Sequence, residues 1–263
     1  MIGILPRRQE WLGAHQNLAM LKQIFGSRWK QSASKDEDPV EVANPDIRTA
    51  FAQAGEDMIV DFIFRAIGIE HPTYLDIGAH HPQRLSNTQF FYMMGSRGVN
   101  VEPDPDLFAE FPKHRPDDVN LNVGIGEGGP SSLPFHVMST RTLNTFSKEE
   151  AERYAATGLH SIERVIDVPV RDINDVISSH FGGGAPDFLS VDVEGLDVEI
   201  VRSLDLSRFR PVVICVETLT FSETREEVKL VEAAEYLGKN GYFSYADTYI
   251  NTIFVDKLRW RQR

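Results

Sequence analysis

The sequence predicts an α/β protein built on a doubly wound, mostly parallel sheet of seven strands with an antiparallel C-terminal strand. Three observations carry that expectation. The apolar, β-branched runs in TYLDIGAHHP (73–82), GVNVEPDP (98–105) and DFLSVDVEG (187–195) each end at or beside a carboxylate and meet Gly or Pro, the pattern of a buried parallel strand delivering its C-terminal end to a ligand crevice. Amphipathic helical segments separate these runs. The closing segments GYFSYAD and NTIFVDK read as an antiparallel pair that completes the sheet.

Taken in order, a stripe of Met58, Ile59, Phe62, Ile63 and Ile67 predicts a helix over 56–68 before the strand TYLDI. SNTQFFYMM (86–94) supplies the first crossover helix, with Ser86 as a plausible N-cap. GVNVE is the second strand, DLFAEF opens the second helix, and VNLNVGI (119–125) is the third strand, broken by Gly124, Gly126, Gly128 and Gly129. Residues 130–170 read as an insertion, with SLPFHVM and VIDVPV as strands around the helical SKEEAERYAATG. Insertions on such a core often shape a substrate site. DINDVISSHF and DVEIVRSL are helices flanking the fourth strand FLSVDV, PVVICVE is the fifth strand, and EEVKLVEAAEYLGKNG predicts a helix over 226–241 ending near Gly241.

Length and composition bound the organisation. With 263 residues, 41% hydrophobic and 25% charged, the chain suits one domain of ordinary size plus an extension. The extension is basic: Arg7, Arg8, Lys22, Arg28, Lys30 and Lys35 oppose Glu10 alone in residues 1–35, a local +5 against the chain's −12, which leaves −17 for the rest. Trp11, Leu12, Leu18, Leu21, Ile24 and Phe25 recur there at helical spacing, which favours a helix packed on its own domain or a dimer contact over a peripheral membrane helix. A polar linker, 31–45, separates this arm from a catalytic domain expected over 46–263. The acidic balance argues against nucleic acid as the partner. Cys215, the only cysteine, reads as a small buried hydrophobe, and no run approaches a spanning helix or a signal peptide, so a soluble cytoplasmic protein is expected.

The first strand's loop holds only Gly78 where a dinucleotide fingerprint needs GxGxxG to cradle a pyrophosphate. Asp76, Gly78 and Ala79 instead give one close backbone approach and a carboxylate, which suits a cofactor without phosphate that carries a sulfonium and an ammonium. Glu102, 24 residues after Gly78, stands where an acidic side chain accepts both hydroxyls of a ribose. The plainer role for Asp76 and Glu102 is to cap turns; their joint occurrence favours S-adenosylmethionine. Asn122, Val123 and the residues to Ile125 would then lie near the adenine, on topology alone.

Over about residues 50–256, the chain resembles the FkbM family of methyltransferases through AGEDMIVDFIF, YLDIGAHHPQRLSNTQFF, GVNVEPDP, FLSVDVEGLDVEIVRSLDL and the following strand with Glu217. The resemblance implies a Rossmann-like class I methyltransferase fold, S-adenosylmethionine as cofactor, and methylation of hydroxyl groups of sugars, glycans or glycosylated metabolites, as in polysaccharide biosynthesis. Matching positions point to Asp76, Gly78, Ala79 and Glu102 for the cofactor. Ser86 and Asn87 either hold its carboxylate end or start the helix. The chain departs from the common form of the first loop, which has Asn and Gly after the Gly-Ala pair, by placing His80, His81 and Pro82 there.

A sugar hydroxyl must lose its proton as a methyl group is transferred, so a base is expected. Asp192 leads, with Glu194 beside it, both beyond the fourth strand; the competing role is a carboxylate at the N-terminus of DVEIVRSL. His81 ranks next, ahead of His80. Asp192, Glu194 and Glu217 together offer hard oxygen ligands of the kind Mg2+ takes, but three carboxylates are no specific signature and no metal is assigned. Gln53, Glu56 and Asp57 either reach the cofactor or cap the helix; Ser139, Thr140, Thr142, Asn144 and Thr145 offer polar groups to a sugar. Two other classes share the sheet: a nicotinamide-dependent sugar oxidoreductase or epimerase, which lacks its fingerprint here, and a non-catalytic interaction module.

Overall fold

In the computed structural model, which describes residues 48–126, 131–220, 222 and 226–262, ten strands follow in chain order. They are β1 (Tyr74–Ile77), β2 (Gly98–Val101), β3 (Val119–Leu121), β4 (Gly124–Ile125), β5 (Ser131–Met138), β6 (Ile162–Arg171), β7 (Phe188–Val191), β8 (Val213–Glu217), β9 (Tyr242–Asp247) and β10 (Asn251–Asp256). Seven of them form one sheet in the order β3-β2-β1-β7-β8-β10-β9, with β10 antiparallel to both neighbours, as the sequence predicts. The basic arm and linker over residues 1–45, with the helix drawn from Trp11 to Phe25, and Gly128 and Gly129, lie outside the described residues.

The central strands are short and wholly buried because helices cover both faces. Alternation divides their side chains. Leu75, Ile77, Leu189, Val191 and Ile214 pack with helices Ile173–His180, Asp197–Ser203 and Glu232–Lys239, whereas Tyr74, Phe188, Val213 and Cys215 pack with helices Glu56–Ile67 and Gln89–Met93. On the second face Phe64, Phe91 and Phe188 meet edge to face at 5.7–6.4 Å, each pair adding about 0.5–1.5 kcal/mol beyond burial. Cys215 is buried there, as expected of a small apolar residue.

Local signals start and stop the helices. Asp172 caps Ile173–His180 through the N–H groups of Asn174 and Asp175, Ser147 caps Lys148–Ala156 through Glu150 N–H, and Gly68 at φ 77° ends Glu56–Ile67. The crossover helix begins at Gln89, later than the sequence suggests. Ser86 still serves it, its hydroxyl accepting from Gln89 N–H at 3.1 Å.

Two elements depart from expectation. VNLNVGI is not one strand: Val119–Leu121 joins the main sheet, while Gly124–Ile125 turns away to pair with β6 in a second, three-stranded sheet of order β4-β6-β5. β5 and β6 of that small sheet, with helix Lys148–Ala156, cover the stretch read in the sequence as an insertion, hereafter the insertion. The helix expected over 226–241 occupies only Glu232–Lys239. Residues 228–230 instead run back against 218–220, where Thr220 N–H donates to Val228 O at 3.0 Å and Leu230 N–H to Thr218 O at 2.8 Å. The helical pattern of the stretch yields to this backbone pairing.

Register fixes what reaches the C-terminal rim. Ile77 is level with Val101 and Val191, and Val191 with Val216, so Gly78, Glu102, Asp192 and Glu217 all emerge at one level of four adjacent strands. The chain switches direction between β1 and β7, and such a point opens a crevice in an α/β sheet.

Candidate active site

A cavity of about 520 Å³ occupies that rim, lined on the sheet side by Gly78, His80, Glu102, Asp192, Glu194 and Glu217. Phe135, Arg141, Thr142, Asn144 and Phe146 of the insertion form a second wall, and Leu219, Thr220, Tyr249 and Ile250 a third. The volume suits a ligand of cofactor size.

Gly78 has no alternative residue. It sits at φ 77°, and a Cβ there would lie 1.7 Å from Asp192 O, so β1 and β7 approach too closely for any side chain. Ala79 is buried beside it, its N–H donating to Val101 O at 3.1 Å. Glu102 is held by two backbone donors, Oε2 accepting from His80 N–H at 2.8 Å and Oε1 from Asp104 N–H at 2.7 Å. Each oxygen keeps a further lone pair, the capacity a vicinal diol requires. Burial pushes this carboxyl up to about 8 against those two hydrogen bonds.

The carboxylates of Asp192, Glu194 and Glu217 converge, with one oxygen of each within 4.8 Å of the others. Burial raises all three, reinforced by like charge: Asp192 reaches about 6 under the charges of Asp76 and Glu56, while Glu194 and Glu217 rise under those of Asp192 and its neighbours. Asp197 behind them rises to about 7 through burial and Asp192, although it accepts from Val193 N–H at 3.0 Å and Gly195 N–H at 3.2 Å. The helix-starting carboxylate in this loop is therefore Asp197, and Asp192 is left facing the cavity. Glu194 adopts φ 53°, a left-handed conformation uncommon for a residue with a side chain.

Several other residues singled out in the sequence lie around the cavity without lining it. Asp76 is buried, accepts from Thr88 Oγ1 at 2.7 Å, and is raised by burial. Asn87 donates to Ser190 Oγ at 3.1 Å, and Asn122 donates to Glu102 O at 2.8 Å and Pro103 O at 3.0 Å, so both brace the loops. Val123 packs against the core. Of the two histidines it is His80 that reaches the cavity, whereas His81 Nδ1 accepts from Gln83 N–H at 3.0 Å and Arg84 N–H at 3.2 Å within its own turn. Glu56 and Asp57 hold the segment before the helix, whose N-cap Gly55 has no side-chain cap: Asp57 accepts from Phe51 N–H at 2.6 Å, and Glu56 from Ala54 N–H at 2.8 Å and Thr248 Oγ1 at 2.7 Å. Gln53 does line the cavity, as do Thr142 and Asn144. Ser139 accepts from Ser161 N–H, and Thr140 meets His160 Nδ1 at 2.9 Å.

Sequence reasoning passed over several residues. Arg115 is fully buried, pairs with Asp118 at 2.9 Å, and donates to Pro82 O, Gln89, Tyr74 and Thr88, tying the first loop to β1 and β2. Nothing in FPKHRPDD marks it as buried. Phe135 and Phe146, with ring centres 4.7 Å apart, form the insertion's aromatic wall, and Phe146 lies where a Cβ on Gly124 would be. That glycine, inside an apolar run, was the available signal of close approach.

Residues 76–244 match the model of the methyltransferase FkbM domain. The chain belongs to the FkbM methyltransferase family. It is accordingly an S-adenosylmethionine-dependent methyltransferase, and the family settles against the nicotinamide-dependent and non-catalytic alternatives. The chain is also similar to a solved structure of a candidate RNA methyltransferase from Pyrococcus horikoshii, at TM-score 0.39 and 10% identity over 90% of this chain and 98% of that one. A second is the Burkholderia thailandensis 1,6-didemethyltoxoflavin N1-methyltransferase with bound S-adenosylhomocysteine, at TM-score 0.34 and 11% identity over 95% of this chain and 92% of that one. No curated protein matched the sequence. The rim has room for a ligand's close approach only because Gly78 carries no Cβ, and Glu102 faces the cavity with both oxygens held by backbone donors.

Proposed function

We propose that this FkbM methyltransferase methylates a hydroxyl group of a sugar, a glycan or a glycosylated metabolite, with Asp192 as the base. The observation that carries this reading is the placement of Asp192 in the cavity wall, one strand from Gly78, with its carboxyl at about 6. When bound, S-adenosylmethionine supplies a methyl group activated by its positive sulfur. Gly78 and Ala79 would hold it by close backbone approach and Glu102 by its ribose hydroxyls, with Asp76, Ser86, Asn87, Asn122 and Val123 supporting that loop set.

A hydroxyl is a weak nucleophile, and a carboxylate that titrates near neutrality is matched to removing its proton. Asp192 can take the proton, with Glu194 and Glu217 converging beside it, and the chain's net acidic charge makes a negative field that favours a proton leaving the acceptor. The same field opposes a phosphate-rich acceptor, in keeping with a neutral sugar and without nucleic acid. Gln53, Thr142 and Asn144 offer amide and hydroxyl groups, and the Phe135–Phe146 wall an apolar face, a mixture suited to a sugar ring. Among the described residues no helix is long and apolar enough to cross a membrane, which fits work in the cytoplasm.

The test is a methyl-transfer assay on a panel of sugars and glycans beside their amino-sugar counterparts, following S-adenosylhomocysteine release. Transfer to hydroxyls, reduced by about 10²–10⁴-fold in Asp192→Asn with cofactor affinity retained, is expected. Transfer confined to the amines, or an Asp192→Asn variant of wild-type rate, would overturn the assignment.

A further inference from the structure

Glu194 is held in an uncommon conformation, and what holds it comes largely from the insertion. A non-glycine residue at positive φ is strained and persists only where its surroundings impose it. Two donors from the insertion meet Glu194. Thr145 Oγ1 donates to its carbonyl oxygen at 2.8 Å, and Tyr154 Oη donates to its Oε2 at 3.1 Å. Asp197 secures the peptides on either side, accepting from Val193 and Gly195 N–H.

The hydroxyl of Tyr154 reaches out of the cluster that holds its ring. Its ring is 2% exposed and packs with Met138, Leu143 and Ala151, so the insertion's own small core fixes where the hydroxyl points. The helix that carries it, Lys148–Ala156, lies against the same loop: a Cβ on Gly195 would meet Glu150 Cγ at 3.0 Å. Arg153 of the same helix lies over the Tyr154 ring at 4.8 Å and also meets its hydroxyl; phenylalanine would fill the same space and keep the ring contact. A buried aromatic residue whose polar atom reaches out of its own cluster to a cavity carboxylate is placed to act on that carboxylate.

From this geometry we infer that Tyr154 is a positioning residue, which aims the Glu194 carboxylate into the cavity and ties the insertion to the rim of the sheet. The inference rests on the site proposed above, since Glu194 matters only if reaction occurs beside it. The groups facing Glu194 are Asp192, Glu217, Asp197 and Glu150, all of them acidic. The donated hydrogen bond opposes burial and those charges at this carboxyl. Without it, Glu194 would turn away from its acidic neighbours toward the cavity mouth.

Tyr154→Phe is the test, because it removes one oxygen and leaves the packing. Wild type, Tyr154→Phe, Glu194→Gln and the double variant are compared in two ways. First, the 13C resonance of the Glu194 carboxyl, assigned by its loss in Glu194→Gln, is followed without any acceptor; it should shift in Tyr154→Phe, and an unmoved resonance overturns the contact itself. Second, methyl transfer should show kcat reduced about tenfold with the KM for S-adenosylmethionine unchanged, and the Tyr154→Phe effect should vanish in the Glu194→Gln background. Multiplying effects in the double variant, or a change in cofactor KM alone, overturn the positioning role. If wild type transfers no methyl to a hydroxyl while the resonance still shifts, the proposed reaction fails and the positioning contact stands.

Discussion

Gly78 is the residue at which the site is least tolerant of change. Any side chain would enter the space of Asp192 O, so Gly78→Ala must separate β1 from β7 or displace the Asp192 loop. The expected outcome is loss of S-adenosylmethionine binding by calorimetry, with a lower melting temperature but a folded far-ultraviolet spectrum. Asp192 carries the pH dependence. As a base it works only when ionised, so kcat/KM should fall as pH drops below about 6, and that limb should disappear in Asp192→Asn, measured as a pH profile of methyl transfer. Gly78, Glu102 and Asp192 were legible in the sequence because strand ends are punctuated by such residues. Arg115 and Tyr154 were not, since a buried polar side chain in an amphipathic stretch looks like a surface one until its partners, Asp118 and Glu194, are brought together by the fold. His81 and His80 were indistinguishable by type, and only the turn that occupies His81 Nδ1 separates them.

Among the elements, the insertion decides the cavity's second wall. Phe146 crosses over β4 at Gly124, where an added Cβ would sit 2.4 Å from the ring. Gly124→Ala should therefore cost about 1–3 kcal/mol in thermal unfolding, and the penalty should shrink when Phe146 is also replaced by Ala. The seven strands, their antiparallel close and the insertion were readable from short apolar runs and turn residues. Two boundaries were not. VNLNVGI divides between two sheets because Gly124 and Ile125 find partners in Val170 and Arg171, a tertiary choice that no local pattern records. Residues 226–231 have helical periodicity, but Val228 and Leu230 pair their backbone with Thr220 and Thr218 instead.

For the whole molecule, the cluster at the rim makes stability depend on pH and ligand. Asp192 and Asp197 have folded pKa values of about 6 and about 7, above the ordinary 3.8, so the folded state binds their protons more tightly. Their contribution is full below about pH 4 and is lost as pH rises through about 6 and 7. Asp192→Asn should accordingly raise the melting temperature of the ligand-free protein more at pH 8 than at pH 4.5, by about 2–4 °C at the higher pH for each kcal/mol of repulsion removed. Ligand adds to stability by mass action: S-adenosylmethionine at 100 times its Kd should add about 2.7 kcal/mol, a rise of about 5–10 °C. The β1–β7 pairing has a consequence of another kind. Thr73 and Asp187, whose side chains join at 2.9 Å, are 114 positions apart, and the whole insertion lies between them. Closing so long a loop slows folding, and on the ribosome β1 must wait for β7 to emerge before it gains its second neighbour. The β1–β7 side of the binding crevice thus cannot form until β7 has been made, and the cofactor has no such crevice on a shorter growing chain.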